Sequence, residues 1–181
     1  MRGSDRSGVW LGDLCPRPVN LKGVTLLELL VVLAIFATLL ATGAPSFAGK
    51  VGEWRSRAQA LRLLSAINLA RSRAIGHDST VTLCPGHAAT KSCSGLYSDG
   101  FYLTDGVGGV VQHYPPRQQI AVWNSAGTRE EGRSLSWRGD GWGSRNMSWL
   151  FCPVGGGTHW SVVVNRLGRP RVVQDWGVCP P

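Results

Sequence analysis

Three patterns of apolar and polar residues follow one another along the chain. Residues 1–23 mix Gly, Pro, Arg and Asp with no apolar period. From Val24 to Ala44 almost every residue is apolar, and Glu28 is the single charge. Past Pro45 the apolar positions become one-sided. Ala60, Leu63, Ile67, Ala70 and Ala74 recur at helical spacing with Leu61 and Leu64 beside them, while Arg55, Arg57, Arg62, Arg71 and Arg73 fall mostly elsewhere on the wheel. The pattern predicts one helix from Val24 to about Ile75, apolar all round and then amphipathic, bent near Gly43 and Pro45 and ended by Gly76.

After Gly76 the period changes. Short segments rich in Val, Thr and aromatics, separated by Gly, Asp or Pro turns, read as strands over 79–84, 99–105, 119–123, 133–137, 147–152, 159–165 and 170–174. A sheet of this size needs cover for its apolar face, and the amphipathic half of the helix is the available partner. The expected class is therefore α+β. Its expected divisions are residues 1–23 as a leader, 24–45 as an apolar helix, 46–76 as an amphipathic helix and 77–181 as a β-rich domain.

The apolar run is long enough, at about 1.5 Å per residue, to cross a hydrocarbon core of about 30 Å. A secretory signal peptide is the rival reading, but its apolar part is normally only about 7–15 residues and ends in small residues before the cut. Here Pro45 directly follows Ala44, a poor cleavage context. Arg2, Arg6, Arg17 and Lys22 precede the run, so the positive-inside rule keeps the N-terminus cytoplasmic and sends residues after about 45 across the membrane. A charge within such a segment costs a few kcal/mol on insertion scales, which gives Glu28 the mark of a functional residue.

Cysteine usage agrees with this topology. Cys15 precedes the apolar run, and Cys84, Cys93, Cys152 and Cys179 follow it. An even set in an oxidising compartment reads as two disulfides with three pairings open, and the neighbours Cys84–Cys93 and Cys152–Cys179 are favoured because each closes a local loop. Cys84, His87 and Cys93 also have the ligand types of a zinc site, without a well-spaced fourth partner.

Net charge changes the picture modestly. The chain carries a formal +8; residues 1–23 hold four basic and two acidic side chains, so their removal leaves +6. Such a surface attracts polyanions nonspecifically. Arg129, Arg133, Arg138 and Arg145 interleave with Trp137, Trp142 and Trp149, a pattern compatible with base stacking but more ordinarily that of core or strand tryptophans, and Glu130, Glu131 and Asp140 offset part of the charge. Hydrolase, metalloprotease and phosphate-loop motifs are missing, and His77, His87, His113 and His159 are scattered. The glycines of 154–157 lack the strand-to-helix setting of a nucleotide loop. An enzyme or a resident cofactor is not expected.

The leader, the helix and the small sheet together resemble type IV pilins and type II secretion pseudopilins. The stretch "LKGVTLLELL", residues 21–30, carries the resemblance: in this family prepilin peptidase cuts after a glycine and methylates the new N-terminus. That implies cleavage between Gly23 and Val24, N-methylation of Val24, and an assembly role for Glu28, fifth after the cut. Val24 stands where the family usually has Phe, and the leader is longer than most, which brings a start codon downstream of Met1 into view.

The resemblance narrows to the GspH/FimT group. "LRLLSAINLARSRAIGHDSTVTLCPG" (61–86) is similar to its helix end and first strand, and "CSGLYSDGFYLTD" (93–105) to its Cys followed by a WSDGW-type motif, with Tyr97 and Phe101 in place of the tryptophans. "LSWRGDGWGSRNMSWLFCP" and "VVVNRLGRPRVV" are similar to its late strands and C-terminal GRxR. The implied partners are prepilin peptidase, other major and minor pilins or pseudopilins and the inner membrane. In the FimT branch the GRxR residues bind DNA, which makes Arg169 and Arg171 candidates with Arg166 accessory, and DNA a candidate partner. Gly168 would allow a turn with positive φ, and two guanidinia spaced across Pro170 would project to one side. The bland alternative is a solvated basic turn in a secretion pseudopilin that binds no DNA.

Overall fold

The computed structural model describes residues 23–90, 92–117, 120–128, 133–154 and 156–180, with residues 42–48 described as helical backbone only. The leader through Lys22, Cys15, Arg129, Glu130, Glu131 and Gly155 lie outside the described residues, and so do the side chains at the bend expected near Gly43 and Pro45.

Helix α1 spans Leu26–Gly76, 51 residues. Thr25 starts it: the Thr25 Oγ1 accepts the backbone N–H of Glu28 at 3.2 Å and the Thr25 carbonyl that of Leu29 at 3.1 Å, the geometry of an N-cap. At the far end the Ser79 N–H returns to the Ala74 carbonyl at 3.1 Å, while Asp78 rather than Gly76 takes the left-handed conformation with φ 43°. The described residues fall into two compact units that divide between Ala41 and Thr42.

In the first unit every described position from Gly23 to Ala41 is exposed. Among the described residues no helix is long and apolar enough to cross a membrane.

The second unit packs the rest of α1 on eight strands: β1 (Val81–Pro85), β2 (Phe101–Thr104), β3 (Val110–Tyr114), β4 (Ile120–Trp123), β5 (Leu135–Trp137), β6 (Met147–Pro153), β7 (Trp160–Val164) and β8 (Pro170–Gln174). They form two four-stranded sheets, β3-β2-β1-β5 and β4-β6-β7-β8, and the described ladders are antiparallel. The single sheet expected from the sequence is thus two. Strand β3 was not expected at all. It lies at an edge, its residues are mostly exposed, and its pairing with β2 shifts at Leu103 and Thr104, so it lacks the apolar alternation that marks the others.

The core lies between helix and sheets. Ala60, Leu63, Ala66, Ile67, Ala70 and Ala74 meet Val81, Leu83, Leu103, Leu135, Trp137, Trp149, Val162 and Val164 in one buried cluster. Leu61 falls outside this face and is 45% exposed. Small residues recur on the buried stripe, which lets the helix backbone approach the sheets closely. Gly52 shows how closely: a Cβ there would stand 3.3 Å from Pro153 Cβ. Ser56, fully buried, stitches helix to sheet by donating to the Phe151 carbonyl at 2.5 Å and accepting the Trp160 N–H at 3.1 Å. Phe151 and Trp160 are register partners of β6 and β7, so the serine hydroxyl enters the end of their ladder. Arg62 donates to the Pro115 carbonyl at 2.9 Å and lies 5.5 Å from the ring centroids of both Phe101 and Tyr114.

Disulfides join Cys84 to Cys93 and Cys152 to Cys179, with Cα separations of 4.5 and 5.8 Å. The first takes both thiolates that a zinc site with His87 would need. Cys93 is also fixed by its N–H donating to the Tyr102 hydroxyl at 3.1 Å. The second ties the C-terminal segment over the outer face of the β4-β6-β7-β8 sheet, where the Ser161 hydroxyl donates to the Trp176 carbonyl at 2.7 Å.

Candidate functional site

Two groups of sequence-selected residues stand in different units. Gly23, Val24 and Glu28 are all exposed at the start of α1. Glu28 occupies the third position after the Thr25 cap, where a carboxylate complements the positive end of the helix dipole. The Thr25-x-x-Glu28 spacing is that of a capping box, a signal legible in the sequence. Beside the charge stand Leu26, Leu27, Leu29 and Leu30, each 55–77% exposed. The end of the helix therefore offers a carboxylate and an apolar surface together.

The second group is built on the hairpin between β7 and β8. Its turn is closed by the Gly168 N–H on the Asn165 carbonyl at 2.9 Å and by the Arg169 N–H on the Asn165 Oδ1 at 3.1 Å. Gly168 has φ 73°, as the turn requires. A Cβ on Gly168 would come within 2.3 Å of the Gly141 carbonyl oxygen and 2.8 Å of Trp137 Cδ1, so the glycine is also demanded by close approach. Arg166, Arg169 and Arg171 are all exposed. Arg171 is paired with Val163 on β7, opposite in face to the core residues Val162 and Val164.

A second turn abuts this hairpin. Between β5 and β6 the chain turns at 138–142: the Gly141 N–H donates to the Arg138 carbonyl at 2.8 Å, and the Arg138 N–H to the Trp142 carbonyl at 3.2 Å. Asp140 accepts the Trp142 N–H at 2.9 Å and pairs with the Arg138 guanidinium at 2.7 Å. The Trp142 N–H, with help from Arg138, holds the exposed Asp140 carboxyl below its ordinary value. The two turns are joined where the Gly143 N–H donates to the Arg166 carbonyl at 3.0 Å and the Trp137 indole N–H to the Gly168 carbonyl at 3.3 Å.

The tryptophans between the arginines separate by burial. Trp137 and Trp149 are fully buried and serve as core, so neither can stack on a base. Trp142 is 48% exposed. Among the described residues no group of three or more His, Cys, Asp or Glu is arranged to hold a metal.

A long capped helix, apolar at its start and packed farther along on antiparallel sheets that are stapled by disulfides, defines a pilin-like protein. The chain matches the family described as type II transport protein GspH over residues 59–168 and the prokaryotic N-terminal methylation motif over residues 20–44. It belongs to the GspH family of minor pilins and pseudopilins. Among solved structures it is similar to the type IV minor pilin FimU of Pseudomonas aeruginosa in crystal form P21, at 12% identity and a TM-score of 0.51, over 66% of this chain and 88% of that one. The P65 crystal form of the same pilin gives 12% identity and a TM-score of 0.49, over 65% of this chain and 91% of that one. The likeness is one of fold. No curated protein matches the chain.

Proposed function

We propose that the protein is made as a single-pass inner-membrane precursor, cut between Gly23 and Val24, methylated on the Val24 amine and built as a minor subunit into a type IV pilus or type II secretion pseudopilus. The observation that carries this is the uncovered apolar helix: its large apolar side chains from Leu26 to Leu40 stand 43–77% exposed. At about 25 cal/mol per Å² of apolar surface, such a helix needs lipid or other helices around it. In the sequence the run continues to Ala44. Its partners are then prepilin peptidase, the inner membrane and other pilins or pseudopilins, and its work is assembly and presentation rather than catalysis. Mass spectrometry of the protein recovered from membranes tests the reading. A mature chain that starts at N-methylated Val24 is expected, and a chain retaining residues 1–23 overturns it.

Glu28 has its place in this scheme. In a filament its carboxylate meets the Val24 amine of a neighbouring subunit inside an apolar bundle, where an isolated charge is costly and a paired one much less so. The pair favours one axial register of docking.

A second reading, DNA binding, is favoured by the exposure of Arg166, Arg169 and Arg171 on one hairpin. Guanidinium forks suit phosphate oxygens. Replacing Arg169 and Arg171 together by Ala should weaken duplex binding and flatten its salt dependence by about 0.9 log units per lost phosphate contact. Unchanged binding dismisses the site and leaves a secretion pseudopilin without a nucleic-acid role.

A further inference from the structure

Trp142 is half exposed on a turn whose backbone is fixed at three successive places. The Trp142 N–H is held by Asp140, its carbonyl by the Arg138 N–H, and the next N–H, that of Gly143, by the Arg166 carbonyl. Exposure alone would mean little, since Trp54 on α1 is 75% exposed. What distinguishes Trp142 is its company. With Ser136, Gly143 and Ser144 it lines an open cleft whose remaining walls are Arg138 and Arg166. Arg138 is partly neutralised by Asp140, while Arg166 makes no side-chain hydrogen bond or ion pair among the described residues. Asp140 also accepts the Trp142 backbone N–H, and the Arg138 guanidinium offsets the charge it keeps.

An exposed indole that shares an open cleft with two arginines has the chemistry of a base-stacking site with phosphate contacts beside it. Every base has a π-face, so such a platform is tolerant of sequence. It needs that face free, and in a duplex the faces are already stacked on their neighbours. We infer that the cleft between the 138–143 and 165–168 turns binds single-stranded nucleic acid, with Trp142 stacking an unpaired base and Arg138 and Arg166 holding the adjacent phosphates. The inference rests on the nucleic-acid reading of the β7–β8 hairpin, which it extends from a phosphate contact to a preference for unpaired strands. The Gly143–Arg166 hydrogen bond makes the cleft contiguous with the hairpin that bears Arg169 and Arg171. Stacking contributes about 1–3 kcal/mol per base, and loss of one platform at the middle of that range corresponds to roughly thirtyfold in affinity.

The test uses the full chain in detergent with three labelled probes of equal length: oligothymidylate, an abasic strand and a duplex. Trp142→Ala should weaken oligothymidylate binding at least tenfold while leaving abasic and duplex affinities within twofold, and Trp142→Phe should recover much of the loss. Circular dichroism and the thermal midpoint of Trp142→Ala should match the parent, because the indole is not part of the buried cluster. An equal loss on all three probes, or no loss on oligothymidylate, overturns the stacking role. If Arg169→Ala/Arg171→Ala abolishes duplex binding while Trp142→Ala changes nothing, the hairpin reading stands and the stacking inference fails. If the parent chain binds none of the three, both fail.

Discussion

Gly168 meets two demands at once, a left-handed backbone and contact with a neighbouring carbonyl and indole. Gly168→Ala would have to move the 138–142 turn or the buried Trp137 ring, both tied by hydrogen bonds. We expect a loss of about 1–3 kcal/mol, the range of backbone strain and overpacking, measured as a lower midpoint in chemical denaturation. An unchanged midpoint would mean that the turn has room to yield. The positive φ was legible from a glycine in "NRLGRPR"; the contact with Gly141 and Trp137 was not, because it joins loops that are distant in sequence. Ser56 makes the same point. Its place four residues before Ala60 puts it on the buried stripe, unlike the exposed Ser65 and Ser72, but only the arrival of β6 and β7 makes its hydroxyl a bridge.

The elements with a strong local period were legible and the others were not. α1 shows the expected stripe almost residue for residue, since one face of a helix must meet a sheet and its spacing records that face. β3 escaped notice because an exposed edge strand needs no apolar alternation. The division into two sheets depends on which strands pair, a nonlocal property that short alternating segments do not encode. The disulfides act on these elements unequally. Their sequence separations are 9 and 27, which in the chain-entropy picture correspond to about 2.5 and about 3.5 kcal/mol. Cys152→Ser with Cys179→Ser should therefore cost more stability than the Cys84/Cys93 double variant, and should open the C-terminal segment to limited proteolysis while α1 stays protected. The reverse order of midpoints would show that strain or residual structure outweighs loop length.

The molecule joins an apolar helix, exposed at every described position from Gly23 to Ala41, to a domain that covers its own core. This division suits the proposed filament subunit, whose helix would find its surroundings in a membrane or among other subunits. Glu28→Ala tests the assembly step at this level. Cleavage after Gly23 should proceed, while the amount of the variant that co-purifies with filaments should fall at least tenfold. Normal co-purification would remove Glu28 from the docking register, and lost cleavage would place its role earlier, at the peptidase.

The order of apolar helix, amphipathic helix and strands, together with Gly23, the apolar stretch after it and Glu28, was contained in the linear pattern. Each follows from local periodicity or from a short motif, the one matched over residues 20–44. The tertiary structure decided that Trp137 and Trp149 are core while Trp142 faces solvent, which hydroxyl bridges helix to sheet, and that the 138–143 turn meets the hairpin bearing Arg166, Arg169 and Arg171. Those facts arise from contacts between segments far apart in the chain, where packing and hydrogen bonding, not spacing, assign each side chain its role.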